Sequence, residues 1–288
     1  ATGAQTGPVF LIHRAAAAVD AAVERVVGRP PLLSLTAADG IGHEVWRAEP
    51  AERDALVAAF AAMPALYIAD GHHRAASAMR ARAELRAAAA GGPVEADGFL
   101  AVAFPEEQLR ILPYHRVVAD LAGATPDGFL AAIRERLELR PGTERPAGPG
   151  EVAIYLDRAW HALRLAPAAA GASPSERLDV ARLHDQVLAP VLGIGDERTD
   201  PRIDFIGGIR GPGALVERVD RGGAAVAFAM HPVSVAELIA ISDAGGIMPP
   251  KSTWFEPKLR DGLLTHVIAA PRDPDGPAGD PAGEGVRG

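Results

Sequence analysis

The sequence predicts a mixed α+β fold. Short apolar strands alternate with amphipathic helices along most of the chain, and Asp-Gly, Gly-Gly and Pro-rich turn signals separate them. With 288 residues of which 48% are hydrophobic, the chain can bury the core of one large domain or two moderate ones.

Val9-Phe10-Leu11-Ile12 is the first strand candidate. Ala15 to Val27 follows with Val19, Val23, Val26 and Val27 at helical spacing. Leu32 to Thr36 and His43 to Ala48 flank Asp39-Gly40 and read as an antiparallel hairpin. Pro50 to Met63 is predicted helical, with Leu56, Val57 and Phe60 apolar behind an acidic first turn and Pro64 as its stop. Leu66 to Asp70 is a strand, Ala75 to Ala90 a strong helix former, and Gly98 to Phe104 a buried strand. Thr125 as N-cap and Pro126 open a helix whose apolar face is Phe129, Leu130, Ile133 and Leu137. Glu151 to Leu156 and Trp160 to Leu165 form a hairpin through Asp157-Arg158. Leu178 to Leu192 is one amphipathic helix. Strands at Ile203–Ile206 and Ala224–Met230 enclose a short helix near Pro212 to Val219, and Ser234 with Glu237 forms a capping box before a last helix. The Pro/Gly-rich stretch Pro141–Gly150 is the predicted linker, dividing the chain into 1–140 and 151–268. Residues 270–288, almost without apolar side chains, are expected to be a disordered tail.

Several function classes drop out on composition. The net charge of -8 disfavours nucleic acid and anionic membrane as partners, though a local basic pocket is still possible. The absence of cysteine removes disulfides, thiolate metal sites and a cysteine nucleophile, and fits a reducing compartment. No apolar run is long enough to span a bilayer and no signal peptide opens the chain, so a cytoplasmic protein without a membrane partner is expected. No P-loop, dinucleotide fingerprint or G-x-S-x-G elbow is present.

The chemistry concentrates in Asp70-Gly71-His72-His73-Arg74, at a strand-to-helix junction. A helix N-terminus offers unpaired N–H groups and a positive dipole end to an anion. Gly71 permits a tight turn, Arg74 can grip phosphate oxygens in bidentate fashion, and His72 and His73 add donors. Asp70 can hold Mg²⁺ or accept a proton from an attacking hydroxyl. The plainer alternative is that Asp70 caps the helix and the basic residues coat its solvent face. Adjacent histidines diverge by about 100° on a helix, which disfavours a shared zinc ion.

His115 and Arg116 repeat a basic pair after a strand, as a second phosphate or carboxylate contact or as an exposed loop. Lys251-Ser252-Thr253 supplies three donors beside Trp254 and Phe255, with Lys258 close behind. These residues either meet phosphate, with Trp254 and Lys258 walling a small substrate, or close the core. Asp196, Glu197, Asp200 and Asp204 lack calcium-loop spacing and read as a solvated loop, and His43 with Trp46 reads as strand packing.

Tyr67 to Arg74, Leu112 to Val118, Leu178-Asp179-Val180, Asp204 to Gly208 and Met248 to Lys258, in that order, resemble the DUF1015 family of bacteria and archaea, from about Pro8 to His266. The D-G-H-H-R element is also similar to the signature of the ParB/sulfiredoxin-like superfamily, which includes free-serine kinases. The resemblance implies a ParB/sulfiredoxin-like core in residues 1–140, with an additional C-terminal α/β half that contributes to the same cleft. It also implies that an N-terminal segment is missing ahead of Val9. By position, Gly71, His72, His73 and Arg74 would bind the phosphates of ATP or ADP and Asp70 would sit beside the transferred group with Mg²⁺. Sulfiredoxin chemistry needs a cysteine and is excluded. The serine kinases place a catalytic glutamate upstream, where Glu24 and Glu44 are the candidates here, neither in a matching motif.

The resulting expectation is a nucleotide-dependent phosphotransferase acting on a small hydroxylated metabolite, with serine or phosphoserine favoured by the resemblance. Asp70 and His72 are its expected catalytic residues, and Lys251, Ser252, Thr253, His115 and Arg116 are expected to complete the pocket. A nucleotide-binding switch without turnover is the first alternative. A metal-dependent hydrolase using His72, His73, His43 or His115 is the second.

Overall fold

A computed structural model describes residues 3–90 and 92–268. They belong to two compact units: Ala1–Pro105 with Lys258–Gly288, and Glu106–Pro257. Both mix helices and strands, as the sequence predicts. The expected tail, 270–288, lies outside the described residues.

The first unit contains β1 (Ala4–Gln5), β2 (Val9–His13), α1 (Ala17–Val27), β3 (Leu33–Thr36), β4 (Gly42–Val45), α2 (Pro50–Ala61), β5 (Tyr67–Asp70), α3 (His72–Ala88) and β6 (Ala101–Pro105). Strand β2 is the centre of a three-stranded sheet, antiparallel to β5 and parallel to β6, and all its residues are buried. Its run of Val, Phe, Leu and Ile is what a strand covered on both faces requires. The register shifts between Phe10 and Leu11, so Phe10 faces Asp70 while Leu11 faces Ile68. Strand β1 pairs with a short strand His266–Val267, which ties the C-terminal segment to this unit.

Helix α1 buries Val19, Ala22 and Val26, a spacing of three and four, and leaves Val23 and Val27 exposed. Helix α2 begins at Pro50, with Glu52 accepting from the Glu49 backbone N–H at 2.8 Å. The apolar face predicted for it is only partly used. Val57 is exposed, while Phe60 meets His13 edge-on with ring centroids 5.5 Å apart.

The second unit contains β7 (Arg110–Leu112), β8 (Tyr114–Val118), α4 (Pro126–Arg134), β9 (Glu138–Pro141), β10 (Glu151–Leu156), β11 (Ala159–Arg164), α5 (Asp179–Leu183), α6 (Ala189–Leu192), β12 (Ile203–Gly207), α7 (Gly213–Asp220), β13 (Val226–Ala229), α8 (Val235–Asp243) and β14 (Trp254–Glu256). Six strands form one antiparallel sheet in the order β12-β8-β13-β10-β11-β9. Every residue of β10 is buried, so both faces of the sheet are covered at its middle. On one face Leu215 of α7 packs with Val117, Tyr155, Ile206 and Ala227.

Two expectations change here. Pro141–Gly150, the expected linker, begins inside the sheet: β9 pairs with β11, and the Gly142 N–H donates to Trp160 O at 3.0 Å. The compact units instead divide at Pro105/Glu106 and at Pro257/Lys258. Leu178 to Leu192 is not one regular helix, because a π-helical turn, His184–Leu188, separates α5 from α6. Pro190 has no N–H to offer the carbonyl four residues back, and its ring crowds that carbonyl, so the turn widens.

Candidate functional site

Gly71 is the N-cap of α3 with φ 89° and ψ 26°, a left-handed conformation. A Cβ there would also lie 2.8 Å from Arg74 Nε and 2.9 Å from Arg74 Nη2. Only glycine therefore allows the chain to turn off β5 while the guanidinium lies against the turn. No side chain caps α3 and no acid occupies its first turn. The capping role considered for Asp70 is thus not the arrangement found. The first-turn N–H groups of a helix have no intrahelical acceptor, so this end is open to an anion.

Asp70 and Arg74 face each other loosely across the turn, with Nη2 donating to Oδ2 at 3.4 Å and the Asp70 side chain 61% exposed. Arg74 Nε is buried and has no hydrogen-bond partner. A sealed guanidinium donor without an acceptor costs free energy on the order of 1–3 kcal/mol.

Beside the junction is a cavity of about 540 Å³. His73, Arg74, Ser77, Ala78 and Ala81 form its helical wall, the i, i+4 face of α3. Val9, Phe99 and Leu100 make it largely apolar, and Asp261 closes one side. The Leu100 N–H donates to Gln5 Oε1 at 2.7 Å, which holds the loop before β6 against β1. The cavity thus joins a basic end to an apolar body, as ligand pockets usually do.

Ser77, Phe99 and Asp261 were not legible as site residues. Ser77 had a signal in the helical spacing 73, 77, 81, but Phe99 and Asp261 are distant in sequence and arrive through the sheet and the returning C-terminal segment.

The expected set is not brought together as a whole. His73 and Arg74 line the cavity, whereas His72, one residue earlier on the helix, does not. His115 and Arg116 are not an exposed basic loop. They lie in β8, second strand of the six-stranded sheet, at 5% and 1% exposure. His115 Nδ1 accepts from the Met230 N–H at 3.1 Å. Burial, reinforced by the neighbouring Arg116 charge, lowers its pKa to about 4, so the ring is neutral at pH 7. Arg116 donates from Nη1 to Tyr114 O at 2.8 Å and from Nε to Glu197 Oε2 at 3.2 Å.

The C-terminal motif is spent largely on packing. Ser252 is buried and donates to Pro249 O at 2.7 Å, and Thr253 is half-buried. Lys251 Nζ lies 5.4 Å from the centroid of the Tyr114 ring. Trp254 lies tilted against Tyr114, ring centroids 5.5 Å apart, and donates from Nε1 to Glu256 Oε1 at 2.7 Å. Lys258 is exposed and falls in the first unit.

Glu24 and Glu44 are exposed on α1 and β4 and do not line the cavity. Among the described residues no group of three His, Cys, Asp or Glu is placed to hold a metal ion. Asp70 by itself is a single exposed carboxylate and does not make a magnesium site. His43 Nε2 accepts instead from Arg260 Nε at 3.2 Å.

The chain belongs to the DUF1015 family, whose sequence model, described as a protein of unknown function, matches residues 1–181. No curated protein matches it. Among solved structures it is similar to a free serine kinase in complex with AMP, at 14% identity and a TM-score of 0.36 over 86% of this chain and 83% of that one. It is also similar to a C-terminally truncated SbnI from Staphylococcus aureus, at 14% identity and a TM-score of 0.40 over 90% and 85%. A conserved hypothetical protein from Pyrococcus furiosus gives 14% identity and a TM-score of 0.37 over 88% and 90%.

Among the described residues no helix is long and apolar enough to cross a membrane.

Proposed function

We propose that the first unit binds ATP or ADP with its phosphates at the N-terminus of α3, and that the protein transfers a phosphoryl group to or from a small hydroxylated metabolite. The observation that carries this reading is the uncapped start of α3 at left-handed Gly71, with the partnerless Nε of Arg74 turned against it. In this reading the first-turn N–H groups and Arg74 stabilise phosphoryl charge, and the ion pair of Arg74 with Asp70, long at 3.4 Å, gives way to phosphate. His73 and Ser77 contribute donors from the same helical face, and the apolar wall of Val9, Phe99 and Leu100 receives the base. Asp70 is proposed to orient the attacking hydroxyl, and His72 to donate only at the helix end. Serine or phosphoserine is the favoured substrate through the D-G-H-H-R resemblance, and His115, Arg116, Ser252 and Trp254 take no part.

The test is incubation of the whole chain with L-serine, Mg²⁺ and ATP or ADP, followed by detection of phosphoserine, with Arg74→Ala as control. Product that falls by about a hundredfold in the variant supports the assignment, in line with loss of a charge-stabilising donor. Nucleotide binding without product would favour the switch reading, which gains from the position of Glu24 and Glu44 away from the cavity. No nucleotide binding at all would end both.

A further inference from the structure

The second unit holds a separate cavity of about 770 Å³, walled by Arg116, His184, Asp185, Glu197 and the Met248-Pro249 segment, among others. Arg116, in its wall, is 1% exposed. Its guanidinium is held by Glu197, by the Tyr114 carbonyl and by the Phe205 ring, whose centroid is 5.4 Å away. Among the described residues no hydrogen bond is found from Nη2, so a residue in the wall of this cavity keeps a donor to spare.

Glu197 is equally underused. One oxygen accepts from Arg116 and the other lies 3.3 Å from His184 Nδ1, which leaves two of the roughly four acceptor positions of a carboxylate. The cavity wall carries four carboxylates against two guanidinium groups, a balance that repels phosphate and other polyanions. A ligand for Arg116 must therefore bring its own positive charge. Arg116 and Glu197 are in direct contact, Nε to Oε2 at 3.2 Å, so a ligand that meets both side chains at once is best served by opposite charges only a few bonds apart. Val180, Ala181, Ile247 and Met248 supply an apolar lining for the rest of such a molecule.

We infer that this cavity binds a free α-amino acid with an apolar side chain, its carboxylate on Arg116 Nη2 and its ammonium on Glu197. The inference is independent of nucleotide binding by the first unit.

The measurement is calorimetric titration of the whole chain with L-leucine and with its isomer 6-aminohexanoate, whose charges are separated by the full carbon chain. Acetate and inorganic phosphate serve as anion controls. L-leucine is expected to bind at least about tenfold more tightly than its isomer and than either anion, the scale of one charge-assisted contact. Glu197→Gln, which keeps an acceptor for Arg116 but loses the charge, is expected to weaken L-leucine by about tenfold while phosphate remains unbound. If that variant does not fold, the isomer comparison on the unaltered chain decides by itself. Equal affinity for the two isomers, acetate or phosphate bound as tightly as L-leucine, no detectable L-leucine binding, or unchanged affinity in folded Glu197→Gln would each overturn the inference.

Discussion

Arg116 on β8 donates to Glu197 from Nε at 3.2 Å, and the same carboxylate reaches His184 on the π-helical turn at 3.3 Å. Burial pulls the Arg116 pKa down while Glu197 opposes the shift. Removing that partner strands a buried charge. Glu197→Ala is expected to destabilise the second unit by about 3–5 kcal/mol, and Glu197→Gln by clearly less, because the amide still accepts from Nε. Urea unfolding of the two variants checks the order.

His115 makes stability depend on pH. Its folded pKa of about 4 lies below the ordinary 6.5, so between these values the unfolded chain binds the proton and the folded chain does not. Its contribution is complete above pH 6.5 and is lost as pH falls towards 4, on the order of 3 kcal/mol in total. His115→Asn places an amide oxygen near Nδ1 to accept from Met230 and cannot titrate. The difference in unfolding free energy between pH 7 and pH 4.5, read by urea titration, should therefore shrink by about 2 kcal/mol relative to the parent, the part of the total lost in that window.

Gly71→Ala meets two penalties, the left-handed φ of 89° and overlap with the Arg74 guanidinium. A loss of about 1–2 kcal/mol follows from the backbone alone. Under the proposed function, displacement of Arg74 should also weaken ADP by more than the stability loss explains. Thermal unfolding and calorimetry on the same variant separate the two effects.

Gly207 is required for packing. A Cβ there would lie 2.5 Å from the Trp254 ring, which covers the end of β12. Gly207→Ala is expected to cost about 1–3 kcal/mol by overpacking. Trp254→Leu should reduce that penalty in a double-mutant cycle if ring overlap is its source.

The β10–β11 hairpin turns at Asp157 and Arg158, both at positive φ, 45° and 62°. This is the type I′ geometry that Asn-Gly favours. Replacing the pair by Asn-Gly is expected to raise stability by about 0.5–1 kcal/mol without altering any cavity, read as an increase in Tm.

Much of the secondary structure was legible because its signals are local. The helix beginning at Pro126 has its Thr125 side chain accepting from the Gly128 N–H at 3.2 Å, and the last helix has the Ser234–Glu237 box, as capping chemistry predicts. The Asp70–Arg74 junction was legible for the same reason, since a strand, a glycine and a helix former succeed one another within a few residues. His115 and Arg116 were misread because a basic pair looks solvated until its partners are known. Met230 and Glu197 lie about a hundred residues away and reach it only through sheet pairing and the loop that follows α6.

The sequence by itself determined the alternation of helices and strands, the glycine-dependent turn before α3 and the concentration of basic groups there, all of which follow from backbone sterics and hydrophobic period. Only the tertiary structure decided that His73 and not His72 lines the cavity, that Ser252 and Trp254 are held in packing, and that Arg116 is buried with one donor to spare. Those outcomes depend on which distant elements meet and on whether burial supplies a polar group with a partner, and neither is written in the residues on either side of it.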